Sequence, residues 1–144
     1  MAQPSQASPG YAPPISLELA KQIVARAESE ALSHGWNMVI AVVDSSGHLV
    51  VLLKMDQAQY GSIPIAQAKA ATAVNFKRPT KVFEDAIAAG GLGLRLLSTD
   101  GLCPLEGGIP LLSGGAIIGA IGVSGAQSTQ DGQVALAGAN VVNA

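Results

Sequence analysis

The chain has 144 residues, 49% of them hydrophobic and only 12% charged, with a formal net charge of −2. That length suits one domain with a real core, and the scattered Lys and Arg residues exclude the basic face that nucleic acid or an anionic membrane requires. The longest apolar runs, residues 38–43 and 49–53, fall far short of the roughly 18 or more residues of a membrane span. A charged share about half the usual ~25% leaves too little charge to cover an isolated domain, so burial of further surface in a homo-oligomer is expected. The single cysteine, Cys103, excludes an internal disulfide and fits a reducing, cytoplasmic setting.

Residues 1–14 are rich in Pro, Ser and Gln, with neither a basic nor an apolar leader, and read as a disordered tail ahead of a single domain, 15–144. Ser16 is placed to cap a helix over 17 to about 33, with Glu18 in its first turn and an apolar stripe of Leu17, Ala20, Val24, Ala27 and Ala31; Gly35 closes it. Segments 37–44 and 48–54 are β-rich, and Asp44-Ser45-Ser46-Gly47 between them predicts a hairpin turn. Both are nearly continuous Val, Ile and Leu, so the sheet should be covered on both faces or at an interface.

A second helix is predicted over 62–77, with Pro64 in its permissive first turn, alanines for close approach, and Lys69, Thr72 and Asn75 as inward polar candidates. Pro79 stops it, and Thr80 is placed to cap a short helix over 80–88. Gly90-Gly91-Leu92-Gly93 breaks that helix, and 94–106 reads as a turn of helix and then a loop carrying Cys103-Pro104. Strands at 109–112 and 116–123, joined by Ser113-Gly114-Gly115, precede a last helix over 129–142. The order contains no βαβ alternation, which predicts an α+β domain with a mainly antiparallel sheet.

The glycine-dense stretch 105–126 reads as a pocket wall. Gly119 and Gly122 mark close approach within a strand, and glycine N–H groups beside a helix N-terminus favour an anion. Lys54, Asp56 and Lys69 flank it, and the two lysines read as clamps for a carboxylate or propionate. Asp131 sits where it caps the last helix or faces the pocket. Gly122-Val123-Ser124-Gly125-Ala126 lacks the last glycine of a nucleophile elbow, and there is no phosphate-binding loop. The two histidines, His34 and His48, are not at ligand spacing from another donor, so no preassembled zinc or iron site is expected. A haem demands only one axial donor, for which His34, His48, Met55, Tyr60 and Cys103 are candidates.

Together, Ala41-Val42-Val43-Asp44-x-x-Gly47-x-Leu49, Met55-Asp56-x-Ala58, Ala66-x-x-Lys69-Ala70-x-Thr72-Ala73, Pro79-Thr80, Gly107-Gly108-Ile109-Pro110 and Gly119-Ala120-Ile121-Gly122-Val123-Ser124-Gly125-Ala126 resemble the GlcG/HbpS-like haem-degrading domain family over about residues 15–142. The resemblance implies a profilin-like domain with a sheet of about five strands, and homo-oligomers up to octamers. It also implies association with haem or iron in some members, while others are encoded beside catabolic enzymes or fused to cofactor-processing domains. Two departures stand out: Glu106 occupies a position where a third glycine is common, and the last helix lacks the acidic residue and cysteine often found there.

Two readings follow. In the first the protein binds haem or a related tetrapyrrole, with slow oxidative degradation, between Lys54, Met55, Asp56, Lys69 and Thr72 on one wall and Gly107, Gly108, Pro110, Ser124 and Gly125 on the other. In the second it is an enzyme or accessory subunit acting on a small carboxylic or aromatic acid; Lys69 or Lys54 anchors the carboxylate, and Glu106 or Asp131 moves a proton. A structural oligomer without a ligand is the third alternative.

Overall fold

The computed structural model describes residues 8–143. Its elements are α1 (Leu17–His34), β1 (Val39–Asp44), β2 (Leu49–Lys54), α2 (Ser62–Phe76), α3 (Lys81–Ala88), a 3₁₀ segment (Gly91–Ser98), β3 (Gly108–Ser113), β4 (Ala116–Ser124) and α4 (Ser128–Asn143). The four strands form one antiparallel sheet in the order β2-β1-β4-β3. The expected five strands are therefore four among the described residues.

Local chemistry accounts for the element ends. Ser16 Oγ accepts from the Leu19 N–H at 3.2 Å, and Gly35, at φ +71°, closes α1 in the left-handed conformation that glycine adopts without steric cost. In the β1–β2 turn, Asp44 Oδ1 accepts from the N–H groups of Ser46 and His48 at 2.9 and 3.0 Å. Thr80, by contrast, makes no side-chain cap on α3. Its hydroxyl oxygen instead accepts from the Gly108 N–H at 2.8 Å, tying α3 to the start of β3.

Helices α1 and α4 pack together on one face of the sheet, where Ile40, Val42, Leu111, Ile121 and Val123 meet Ile23, Val24, Ala27, Val134 and Ala135. Helix α2 covers the other face, its Ala66, Ala70 and Ala73 lying against Val39, Ala41, Val43 and Ala120. Strands β1 and β4 are buried on both sides, which for β1 matches its unbroken apolar run; β2, expected from its similar run to be covered as well, is only partly buried because it is an edge strand. The edge strand β2 extends past α2 and leaves Leu49 and Leu52 exposed. Asn75, expected to point inward, is exposed near the C-terminal end of α2.

Of the expected tail, residues 1–7 lie outside the described residues. Gly10 to Ala12 run beside β4 in the lane that β1 leaves beyond Asp44: the Ala12 N–H donates to Ile117 O and the Ile117 N–H to Gly10 O, both at 2.8 Å. The Tyr11 hydroxyl donates to Val74 O at 2.8 Å, which fastens this segment to α2.

Candidate functional site

Antiparallel pairing gathers one end of every strand. Val39 pairs with both Lys54 and Ser124, and Gly108 pairs with Gly122. The same end receives the N-termini of α2 and α4. Lys54, Met55, Asp56, Ser124, Gly125, Gly107, Gly108, Glu106 and Asp131, far apart in sequence, thereby converge on it.

At its centre is a buried ion pair. Lys69 is 1% and Asp131 3% exposed, and Lys69 Nζ donates to Asp131 Oδ2 and to Val123 O, both at 2.9 Å. Asp131 Oδ1 accepts from the Ala126 N–H at 3.0 Å. The anion-seeking end of β4 and α4 is thus filled from within by a carboxylate of the chain itself. Lys69 is consequently not a free clamp, which corrects the sequence expectation, and Asp131 faces inward as well as satisfying the backbone before α4. Burial raises the Asp131 pKa above the ordinary range, with Lys69 opposing the rise. Gly107 closes over this pair at φ +134°, where a β-carbon would stand 2.9 Å from Lys69 Nζ.

The other expected residues separate into two clefts and several structural contacts. Lys54 and Asp56 line a groove of about 520 Å³ with Gln57, Ala58, Gln59 and Tyr60. Lys54 Nζ lies 5.6 Å from the centre of the Tyr60 ring. Glu106, Gly107 and Gly108 line a second cleft of about 180 Å³ with Pro79, Lys81, Ile109, Gly132 and Leu136. Ser124 donates to Ser62 Oγ at 3.0 Å, and Gly125 packs on Asn37 and Met38.

Thr72 is buried, donating to Ala68 O at 2.7 Å and accepting from the Cys103 N–H at 2.9 Å, so it anchors the loop before β3. Pro110 is buried on edge strand β3, its carbonyl accepting from Asn143 Nδ2 at 2.8 Å. Met55 is buried, and its sulfur accepts from the Met38 N–H at 3.4 Å. Neither Thr72 nor Met55 lines either of these two clefts. His34 is at the rim of the glycine end, stacked on Trp36 at 4.2 Å with Nε2 3.0 Å from both Glu30 Oε2 and Gln133 Nε2. His48 lies in the turn at the opposite end of the sheet.

Ser62, Lys81, Gly132 and Leu136 were not among the expected site residues, and Thr80 was expected as a helix cap rather than as the tie to Gly108. Gly132 carried the one readable signal: a glycine inside a helix costs about 1 kcal/mol, which points to a close approach. A β-carbon there would strike the Glu106 carboxylate.

Burial raises the Glu106 pKa, with Lys81 opposing and Glu84 and Asp85 reinforcing the rise. A carboxyl whose folded-state pKa is raised favours the native state when protonated and loses that contribution as pH climbs through the raised value. Glu106→Gln should therefore be more stable than the parent chain at pH 7. The difference in melting temperature should shrink as pH falls below the ordinary carboxylate range; a constant difference would show that desolvation is not the cause.

A four-stranded antiparallel sheet covered by α1 and α4 on one face and α2 on the other, with a glycine-lined end, defines a small single-sheet α+β protein. Residues 15–140 match the family described as haem degrading protein HbpS-like, and the chain belongs to that family. It is 40% identical to Protein GlcG of Escherichia coli (strain K12) over 110 residues, 76% of this chain and 81% of that one. Its structure matches a crystal structure of a Streptomyces reticuli HbpS double mutant with TM-score 0.83 and 33% identity, covering 100% of this chain and 99% of that one. It also matches the crystal structure of a PduOC:Heme complex with TM-score 0.80 and 27% identity, covering 90% and 96%.

Proposed function

We propose that this protein binds haem or a related tetrapyrrole at its glycine-lined end. The observation that carries the reading is the likeness to a relative crystallised as a heme complex. A tetrapyrrole needs an axial donor, a cation for its propionates and an apolar wall. Tyr60, 83% exposed, supplies a donor at this end, and His34 supplies a second once its Nε2 leaves Glu30 and Gln133; Lys54 lies in the groove beside Tyr60, and Leu52 adds apolar surface on the same side of β2 as Lys54. Met55 is spent on the Met38 N–H, and burial pushes the Cys103 thiol up, against a thiolate donor. Bound haem iron would supply redox chemistry, of which slow oxidative degradation is one form, while the chain binds and orients the macrocycle. Assembly into a homo-oligomer would cover Leu92 and Leu97, 80% and 68% exposed.

The test is a haem titration read by the Soret band for the parent chain, His34→Ala, His48→Ala and Tyr60→Phe. Saturable one-site binding is expected, lost in His34→Ala or Tyr60→Phe and kept in His48→Ala. Retention in both of the first two, or no shift beyond free haem, overturns the reading. The alternative, an enzyme or accessory subunit for a small carboxylic or aromatic acid, keeps Lys54 as its anchor because Lys69 is committed to Asp131. A silent Soret band together with a benzoate-dependent rise in melting temperature that Lys54→Ala removes would select it.

A further inference from the structure

The smaller cleft carries its own charge logic. Pro79, Ile109 and Leu136 give it apolar walls, and its volume of about 180 Å³ equals roughly six waters at about 30 Å³ each. Lys81, the lysine that lines it, has its ammonium 3.1 and 2.9 Å from the two carboxylate oxygens of Asp85. Lys69, behind Gly107, is bound to Asp131. Glu106 lies half-buried over Gly132; its own N–H donates to Glu84 Oε1 at 3.4 Å, and among the described residues its carboxylate accepts no hydrogen bond. Each nearby cation thus has a carboxylate as its ion-pair partner, while among the described residues the Glu106 carboxylate makes no salt bridge and feels Lys81 only at longer range. Glu84 and Asp85 add negative potential from α3.

We propose that this cleft binds a small organic ammonium, its charge on Glu106 and its short apolar tail against Ile109 and Leu136. The site is separate from the Lys54–Tyr60 groove and does not depend on the tetrapyrrole reading. Charge selects this occupant: a carboxylate ligand would meet Glu106 and Glu84 with no unpaired cation to offset them, and a buried carboxylate without a partner is costly.

The experiment is a thermal-shift titration of the full chain with n-butylammonium, 1-butanol and butyrate at constant ionic strength, repeated with Glu106→Gln. Butylammonium should raise the melting temperature saturably, and butyrate should not. Glu106→Gln, which is expected to fold more stably than the parent, should weaken apparent butylammonium affinity at least about tenfold, because a charge-assisted contact is lost. Affinity should also rise with pH through the raised Glu106 range, with Lys81, Glu84 and Asp85 on α3, Lys69 on α2 and Asp131 on α4 as the other charges in its surroundings. Amide resonances of Gly107 and Gly132 should move. Equal effects of butyrate or butanol, unchanged affinity in Glu106→Gln, or resonance shifts centred on the Lys54–Tyr60 groove would overturn the proposal.

Discussion

Lys69→Ala is expected to lower stability by about 3–5 kcal/mol, which for a chain of this size is a fall in melting temperature on the order of 10 °C. The loss does not come from the Coulomb energy of an exposed pair, which is usually small. It comes from leaving Asp131, 3% exposed, buried without its cation, and Val123 O without its donor. Two further measurements separate this cause from simple loss of packing. In Lys69→Ala the unpaired Asp131 should have its pKa raised further, so protonation favours the native state. The gap to the parent chain, measured by denaturant unfolding, should therefore be widest at neutral pH and narrow on acidification. The double variant Lys69→Met, Asp131→Asn keeps the volume and the acceptor for the Ala126 N–H while removing both charges, and should recover most of the loss. A Lys69→Ala variant within about 1 kcal/mol of the parent would mean that the pair is not closed off from water.

Gly122→Ala is expected to cost about 3 kcal/mol or more, at the upper end of overpacking effects. A β-carbon at 122 would collide with the carbonyl oxygen of Ala66 and stand 2.6 Å from the Ala70 amide nitrogen. Both are backbone atoms of α2, so no rotamer change relieves the contact; the helix must withdraw from the sheet. Withdrawal would also disturb Lys69, on the same helix, and Ser62 against Ser124. Gly61→Ala is the control, since nothing lies within 4 Å of a β-carbon there and its φ of −61° suits any residue. It should stay within about 0.5 kcal/mol of the parent. Equal unfolding midpoints for the two variants would show that α2 does not seat on the Gly122 backbone.

Much of the fold was legible because it is written in short-range chemistry. Ser16 and Gly35 bracket α1, Asp44 and Gly47 make the first hairpin turn, and glycines at 114 and 115 turn β3 into β4, while α2 stops at Phe76 with Lys77 left-handed at φ +58°, two residues before Pro79. Each depends on a residue's own backbone preferences and on neighbours within four positions. The unbroken apolar run of β1 likewise announced a strand covered on both faces, whereas the similar run of β2 lies at the sheet edge and stays partly exposed; Gly122 announced a close backbone approach before its partner was known. The resemblance carried the family itself, through motifs spread from Ala41 to Ala126.

What the chain alone determined, then, was the kind and order of its elements and the positions where small residues are needed, because hydrophobic period, caps and turn residues act locally. Tertiary structure decided which groups those elements bring together. Lys69 and Asp131 are 62 residues apart, and Thr80 and Gly108 are 28 apart; both pairings depend on how α2, α3 and α4 sit on a sheet ordered β2-β1-β4-β3. A lysine beside a glycine-rich strand reads in one dimension as a free cation awaiting a ligand. In three dimensions burial makes an unpaired charge costly, and the chain places its own carboxylate there, leaving the unpartnered charge on Glu106 instead.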